Sequence, residues 1–263
     1  MTAREDVAYL VGSGCRVAIL RVLAAEPMRP SAIAERASCA RETAQRNLAG
    51  FVDREWVEKT DGQYRLTAAG HMVLSRYGQL ERTVESAKRL TVFLSNIGEV
   101  LEQTDPELLA EQRVTTSTPD NPHAPIERWL TLVDDVVDEY YGITPIVSQV
   151  FNEAAADAIG ADTHMELIID DAVLETSKER FPEALELGME LEQFTLFVAP
   201  SELDFGLTIA DEHVWLAAYD QLGNVVASVD GDDEQFVAWA HDCYEGYRER
   251  ARVVEPEQAS QSN

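Results

Sequence analysis

Four polar side chains fall within six residues of this sequence: Arg41, Thr43, Gln45 and Arg46. An arginine fork can donate two parallel hydrogen bonds to a guanine edge, and a glutamine amide can pair with adenine. Threonine can meet a phosphate or a thymine methyl. On a helix from about Ala40 to Arg54, Ala44, Leu48, Phe51 and Val52 form an inward stripe, so Arg41, Glu42, Gln45, Arg46 and Ala49 point outward. Lys59 and Arg65 follow at spacings suited to backbone or minor-groove contacts. Arg36 and Arg54 read better as phosphate contacts or surface salt bridges. Any one of these residues could merely solvate a helix; as a set they point to double-stranded DNA.

Other chemistry is absent from the pattern. His71, His123, His164, His213 and His241 show no ligand spacing with one another or with Cys15, Cys39 and Cys243. No G-x-S-x-G, Walker or dinucleotide loop occurs. We therefore expect no catalytic residue, no metal and no cofactor. Cys39, close to the polar cluster, reads either as an oxidant sensor or as a small buried hydrophobe.

The elements that position the cluster are short. Ser13 can cap a helix over Cys15–Ala24, stopped by Glu26-Pro27, and Ser31 opens another through Ala37. Ser38 is placed to cap the helix that carries the cluster. Two alternating segments, Trp56–Thr60 and Gln63–Leu66, then flank Asp61-Gly62, a hairpin signal. Three helices and a hairpin give the order of a winged helix-turn-helix. The string "ETAQRNLAGFVDREWVEKTDGQYRLTAAG" resembles the recognition helix, wing and following helix of prokaryotic winged-helix regulators. The resemblance covers about residues 10–75.

Charge supports a division of labour. The 263 residues carry 21 Lys+Arg and 48 Asp+Glu, a net of −27, and only three of the cations are Lys (Lys59, Lys88, Lys178). Residues 1–90 nevertheless hold 14 cations and 11 anions. An acidic chain that exempts its first third from acidity points that third at an anionic partner. The acidity itself predicts a halophile whose cytoplasm holds molar salt, where hydrated carboxylates keep proteins soluble. An acidic mimic or tail is the rival reading, but no block of like charge stands apart from the apolar pattern. No run reaches the ~18 apolar residues of a membrane span, and three scattered cysteines make no disulfide framework. A soluble cytoplasmic protein is expected.

From Thr67 a helix is expected to run to Gln103, roughly 55 Å at ~1.5 Å per residue. Val73, Tyr77, Leu80, Val84, Ala87, Thr91, Leu94, Gly98 and Leu101 recur at the spacing of a coiled-coil seam, which predicts a dimer helix. Packing on its own domain is the alternative. Residues 115–125 read as a linker.

Beyond it, helices at Ile126–Tyr141, Asn152–Ile159, Val173–Phe181, Pro182–Gly188 and Asp233–Ala251 alternate with strands at Thr144–Phe151, Met165–Ile169, Phe194–Val198, Phe205–Ala210, Val214–Tyr219 and Val225–Val229. That alternation predicts an α/β layer. The strings "NPHAPIERW", "GITPIVSQVF", "MELIIDDAVLE", "LDFGLTIADEHVWLAAYDQLGNVVASV" and "FVAWAHDCYEGYRERA" resemble the effector domain of the archaeal methanogenesis regulatory (filamentation-regulator) family. The resemblance implies a transcriptional regulator without supplying a ligand. "FGLTIADEHVWLAAYD" is also similar to the core hairpin of phospholipase-D-like folds, whose chemistry requires His-x-Lys; none of the five histidines has Lys two residues on. Ligands of α/β sheets bind at the carboxyl ends of strands, which nominates Ser148, Asp170 and Tyr219.

The expected organisation is an α+β winged helix-turn-helix DNA-binding domain (1–75), a long helix or linker that dimerises (76–114), an α/β effector domain (115–252) and a disordered tail (253–263). The expected function is a homodimeric, sequence-specific transcriptional regulator modulated by a small-molecule effector of unknown identity, with no membrane partner. The alternatives are a winged-helix interaction module that does not read DNA and a cysteine-based redox-responsive regulator.

Overall fold

A computed structural model describes residues 2–101, 106–134 and 137–255 of the chain. The fold is mixed α+β, with helices at the N-terminus and a large sheet at the C-terminus. Two compact units divide at Glu85/Ser86.

The first unit starts with α1 (Ala3–Val11), fixed by a reciprocal cap: Glu5 N donates to the Thr2 hydroxyl and Thr2 N to the Glu5 carboxylate. Then come α2 (Gly14–Ala25), α3 (Pro30–Arg36) and α4 (Arg41–Val52). Ser13 stands at the N-cap of α2 but its hydroxyl makes no cap hydrogen bond. Nor does Ser38 cap α4: the N-cap is Ala40, and Ser38 takes a left-handed φ of +52° in the turn after α3. Ile19, Leu20, Ile33, Ala44, Leu48 and Phe51 close the core, joined by Trp56 and Leu66 from the hairpin.

That hairpin is β1 (Val57–Thr60) and β2 (Gln63–Leu66), paired antiparallel. Asp61 and Gly62 both have positive φ, +50° and +77°, the turn geometry that matches strand twist and that Asp-Gly tolerates. Helix α5 (Ala68–Arg89) follows.

The expected single helix to Gln103 ends early. Leu90, Phe93 and Ile97 are each no more than 2% exposed in the core of the second unit, and none of the three lies on the predicted seam. Burying them bends the chain into α6 (Thr91–Leu94) and a 3-10 turn at Gly98–Leu101. Gly98 takes φ +72° there, and a Cβ would fall 2.0 Å from the Asp204 carboxylate. Gln103, the expected helix end, lies outside the described residues. Of the seam, Val73 and Tyr77 pack against the core of the first unit, while Leu80 and Val84 stay exposed.

The second unit is one eight-stranded mixed sheet with helices on both faces. Its elements are β3 (Arg113–Thr116), α7 (Ala124–Leu130), β4 (Val137–Ile143), α8 (Gln149–Ala158), β5 (Ile159–Ile169), α9 (Asp171–Arg180), α10 (Pro182–Met189), β6 (Phe194–Val198), β7 (Phe205–Ala210), β8 (His213–Tyr219), β9 (Val225–Gly231), α11 (Glu234–Arg248) and β10 (Arg252–Val253). The strand order is β10-β6-β5-β4-β7-β8-β9-β3, with β4, β5 and β6 mutually parallel and the other pairs antiparallel.

Period-two alternation divides the faces. Ile168, Val214, Leu216 and Val229 join Phe236, Ala240 and Tyr244 of α11 on one side. Met165, Trp215, Ala217 and Tyr219 join Trp129 of α7 on the other.

Four sequence expectations are corrected. The helix over Ile126–Tyr141 is instead α7 followed by β4, and the strand expected at Thr144–Phe151 is a loop leading into α8. Pro145 lacks the N–H that a central strand needs, so the strand lies before it, between β5 and β7. Thr115 and Thr116 of the expected linker belong to β3, paired with Ser228 and Ala227 of β9. Of the expected tail, Val253 pairs with Phe197 and Val254 is buried, while residues 256–263 lie outside the described residues.

Candidate nucleic-acid interface and ligand cavity

In the first unit, the inward face of α4 fixes the outward one. Ala44 and Leu48 are wholly buried, leaving Arg41, Gln45 and Arg46 exposed and Thr43 half-buried. Among the described residues no carboxylate pairs with Arg41 or Arg46.

The back of α4 is anchored differently. The Tyr9 ring lies between two guanidinium groups, Arg16 at 3.8 Å and Arg54 at 3.7 Å from its centroid, each a favourable cation–π contact. Arg54 also donates to Asp6 (2.8 Å) and to the Gly50 carbonyl (3.0 Å). Gly50 admits the tyrosine, since a Cβ there would fall 2.2 Å from the Tyr9 hydroxyl. Arg54 is thus an internal strut, and Arg36 pairs with Glu26 at 2.7 Å.

On the hairpin, Lys59 is exposed, with its ammonium 5.6 Å from the Tyr64 ring centroid. Arg65 is exposed but already paired, its Nε 2.5 Å from Glu58 Oε1 across the strand register.

Cys15 and Cys39 form a disulfide between the start of α2 and the turn ahead of α4, with Cα atoms 6.1 Å apart. The cysteines are therefore not all isolated, and Cys39 is not a lone thiol. Their separation of 24 residues carries no motif that could have revealed the pairing. Cys243 is free, and burial pushes its thiol up to about 12.

In the second unit, the face of the sheet that carries Trp215 bounds a cavity of about 470 Å³. Of the three nominated ligand residues only Tyr219 lines it. Burial pushes the Tyr219 phenol far above its ordinary value, against a hydrogen bond with the Thr144 hydroxyl, so it is a neutral group. Asp170 caps α9 through Val173 N (2.9 Å) and also accepts from Leu203 N (3.1 Å). Ser148 accepts from Phe151 N (3.3 Å) at the start of α8. Both do local structural work away from the lining.

The sequence reading passed over Trp129, Tyr140, Thr208 and Trp215, all of which line the cavity. Trp129 Nε1 donates to Thr208 Oγ1 at 3.0 Å, and the Tyr140 hydroxyl lies 3.3 Å from the same oxygen. A usable signal was the alternation Trp215-Ala217-Tyr219 on one face of β8, in which a small residue between two large ones leaves room. Gly142 contributes too: a Cβ there would press to 2.8 Å from Leu167 and 3.0 Å from Tyr140.

The sheet also holds a buried ion pair. Asp230 of β9, 1% exposed, accepts from Arg128 of α7 at 2.5 and 3.0 Å, and His213 Nε2 lies 3.2 Å away. Burial alone would raise the Asp230 carboxyl; the hydrogen bonds from His213 and Arg128, with the charge of Arg128, hold it below its ordinary value.

Comparison with known proteins follows this division. Residues 122–250 match the family model described as methanogenesis regulatory protein FilR1, middle domain. Residues 4–89 match the HVO_A0261 N-terminal domain. The two matches support placing the chain among archaeal transcription regulators. No curated protein matches. Among solved structures, the archaeal chromatin protein TrmBL2, described as showing a novel mode of DNA binding, is 14% identical with a TM-score of 0.43 over 91% of this chain and 93% of that one. The phospholipase D family member Nuc from Salmonella typhimurium is 11% identical with a TM-score of 0.45 over 55% of this chain and 99% of that one. Among the described residues no single helix is long and apolar enough to cross a membrane.

Proposed function

We propose that this chain is a sequence-specific, double-stranded-DNA-binding transcription regulator whose first unit is a winged helix-turn-helix. The observation that carries the reading is the outward face of α4, where Arg41, Gln45 and Arg46 are exposed and, among the described residues, no carboxylate pairs with either guanidinium. Cations held ready in this way suit base edges and phosphates. Arg41, Gln45 and Arg46 read bases, Thr43 supports them, and Lys59 and Arg65 of the wing meet the backbone. The exposed Leu80 and Val84 on α5 are the contact of a homodimer that addresses a two-fold site. A small-molecule effector in the second unit shifts the population of DNA-competent dimers. The chain has no catalytic activity in this reading, and it works in the cytoplasm of a halophile.

Selection of duplexes from a random pool, at several salt concentrations, tests the reading. Enrichment of a two-fold motif by the full chain, lost in Arg46→Ala, is expected. Failure to enrich any sequence at any ionic strength overturns it in favour of an interaction module that does not read DNA.

The Cys15–Cys39 bond favours one addition. Disulfides in reducing compartments are mostly regulatory, and this one ties down the turn that leads into α4. DNA affinity is then oxidant-dependent, and Cys39→Ser abolishes the response. A normal response in that variant rules the addition out.

A further inference from the structure

The proposed effector is unnamed, and the cavity restricts its chemistry. Among the described residues every side chain lining it is uncharged, and most are aliphatic or aromatic. A buried anion without a cation is strongly disfavoured, so the lining rejects carboxylates and phosphates, and the lack of an acidic group rejects cations equally. The volume lies in the range of small-molecule sites.

Polar groups in the lining are mostly satisfied internally: Trp129 and Tyr140 on Thr208, Tyr219 with Thr144, and Ser177 on the Val173 carbonyl. Among the fully buried polar side-chain atoms of the lining, the exception is Trp215, 2% exposed, whose indole Nε1–H has no partner among the described residues; the amides of Asn152 and Gln193 also reach the lining. A buried donor left unpaired costs free energy, and a ligand acceptor recovers it.

We infer that the cavity holds a neutral, largely apolar small molecule carrying a hydrogen-bond acceptor, such as a carbonyl, that is met by the Trp215 indole N–H. The inference rests on the effector reading above for its regulatory meaning, though not for its chemistry. Among the described residues one internal rival exists: Asp230 lies opposite Trp215 in the strand register and its Oδ1 has no partner there. An indole turned towards that oxygen has no donor left for a ligand.

Nile red, a neutral dye whose emission reports an apolar environment, serves as the probe on the full chain. It is displaced in turn by benzophenone, by diphenylmethane, which has the same shape without the acceptor, and by 4-benzoylbenzoate, which adds a negative charge. One dye per chain is expected. Ala184→Trp, at an exposed lining position on α10, removes binding without touching the core. The preference for benzophenone over diphenylmethane falls about fivefold in Trp215→Phe, the worth of one neutral hydrogen bond. The benzoate competes worst.

The inference is overturned by a folded chain that binds no dye, by dye binding indifferent to Ala184→Trp, by a benzoate that competes as well as benzophenone, or by a ketone preference unchanged in Trp215→Phe. Dye binding with no DNA enrichment refutes the regulator and leaves the ligand chemistry standing; the converse refutes the ligand chemistry alone.

Discussion

The outward face of α4 in the first unit and the sheet of the second treat charge in opposite ways. On α4 the guanidiniums of Arg41 and Arg46 are exposed, with no carboxylate partner among the described residues, available to a partner outside the chain. In the second unit, Arg128 of α7 pairs with Asp230 of the sheet, and Arg248 of α11 with Glu166, whose carboxylate also accepts from the Tyr244 hydroxyl at 2.8 Å. Removing one partner of such a pair leaves a charge uncompensated against a buried carboxylate or cation, whereas a cation left in water on an ordered helix is open to a partner outside the chain. The cavity extends the contrast, since it lies on the same sheet as these pairs and none of them lines it.

The largest expected effect tests the paired side. Asp230→Asn leaves the Arg128 charge without its counterpart and destabilises the second unit by about 3–5 kcal/mol, measured by urea unfolding. Because the Asp230 carboxyl titrates below its ordinary value, its contribution is complete above the unfolded-state pKa and is lost as pH falls through the folded one. Wild-type stability should therefore drop below roughly pH 4, and Asp230→Asn should lose that part of the drop. Equal acid sensitivity in both proteins places the titrating group elsewhere.

Reduction comes next and separates the units. Opening the Cys15–Cys39 bond frees a loop closed by a separation of 24 residues, a loss of about 3 kcal/mol confined to the first unit. After reduction, thiol labelling at neutral pH should reach Cys15 and Cys39 before Cys243, whose thiol is raised to about 12. Early labelling of Cys243 contradicts its packing on the inner side of α11, against the core of the second unit.

Legibility followed the range of the forces involved. Asp61-Gly62 signals its own turn, and Phe194–Val198 emerges as a strand with the bounds read from sequence, because those preferences are local. The outward face of α4 was legible for the same reason: Ala44 and Leu48 at helical spacing decide where Arg41 and Arg46 point. Edge strand β3 was missed because its partner β9 lies more than a hundred residues away and nothing in Arg113–Thr116 marks it. The cavity was missed on similar grounds. Trp129, Gly142, Thr208 and Trp215 come from four separate elements, and each alone reads as core. Asp170 and Ser148 looked like ligand contacts because they sit beside strand ends, where short polar residues also cap the next helix.

Arg46→Ala tests the unpaired side. It should weaken binding to a selected site by about 1–3 kcal/mol and relax the preference at one position of the motif. Uniform weakening across all sequences instead makes Arg46 a phosphate contact.

The smallest effect concerns Arg65, a candidate that straddles the two behaviours, being exposed like Arg46 and paired like Arg128. Its partner Glu58 is itself half-exposed, so the pair is worth little, about 0–1 kcal/mol. To meet a phosphate, Arg65 must first release that carboxylate, and Glu58 then stands close to the DNA with an unfavourable charge. Arg65→Ala should therefore cost DNA affinity less than Arg46→Ala does, about twofold. Glu58→Gln should act in the opposite sense, tightening binding and steepening the salt dependence by about one phosphate contact. If Arg65→Ala costs as much as Arg46→Ala, the wing reads the site as strongly as α4, and an internal pair on this surface is no guide to function.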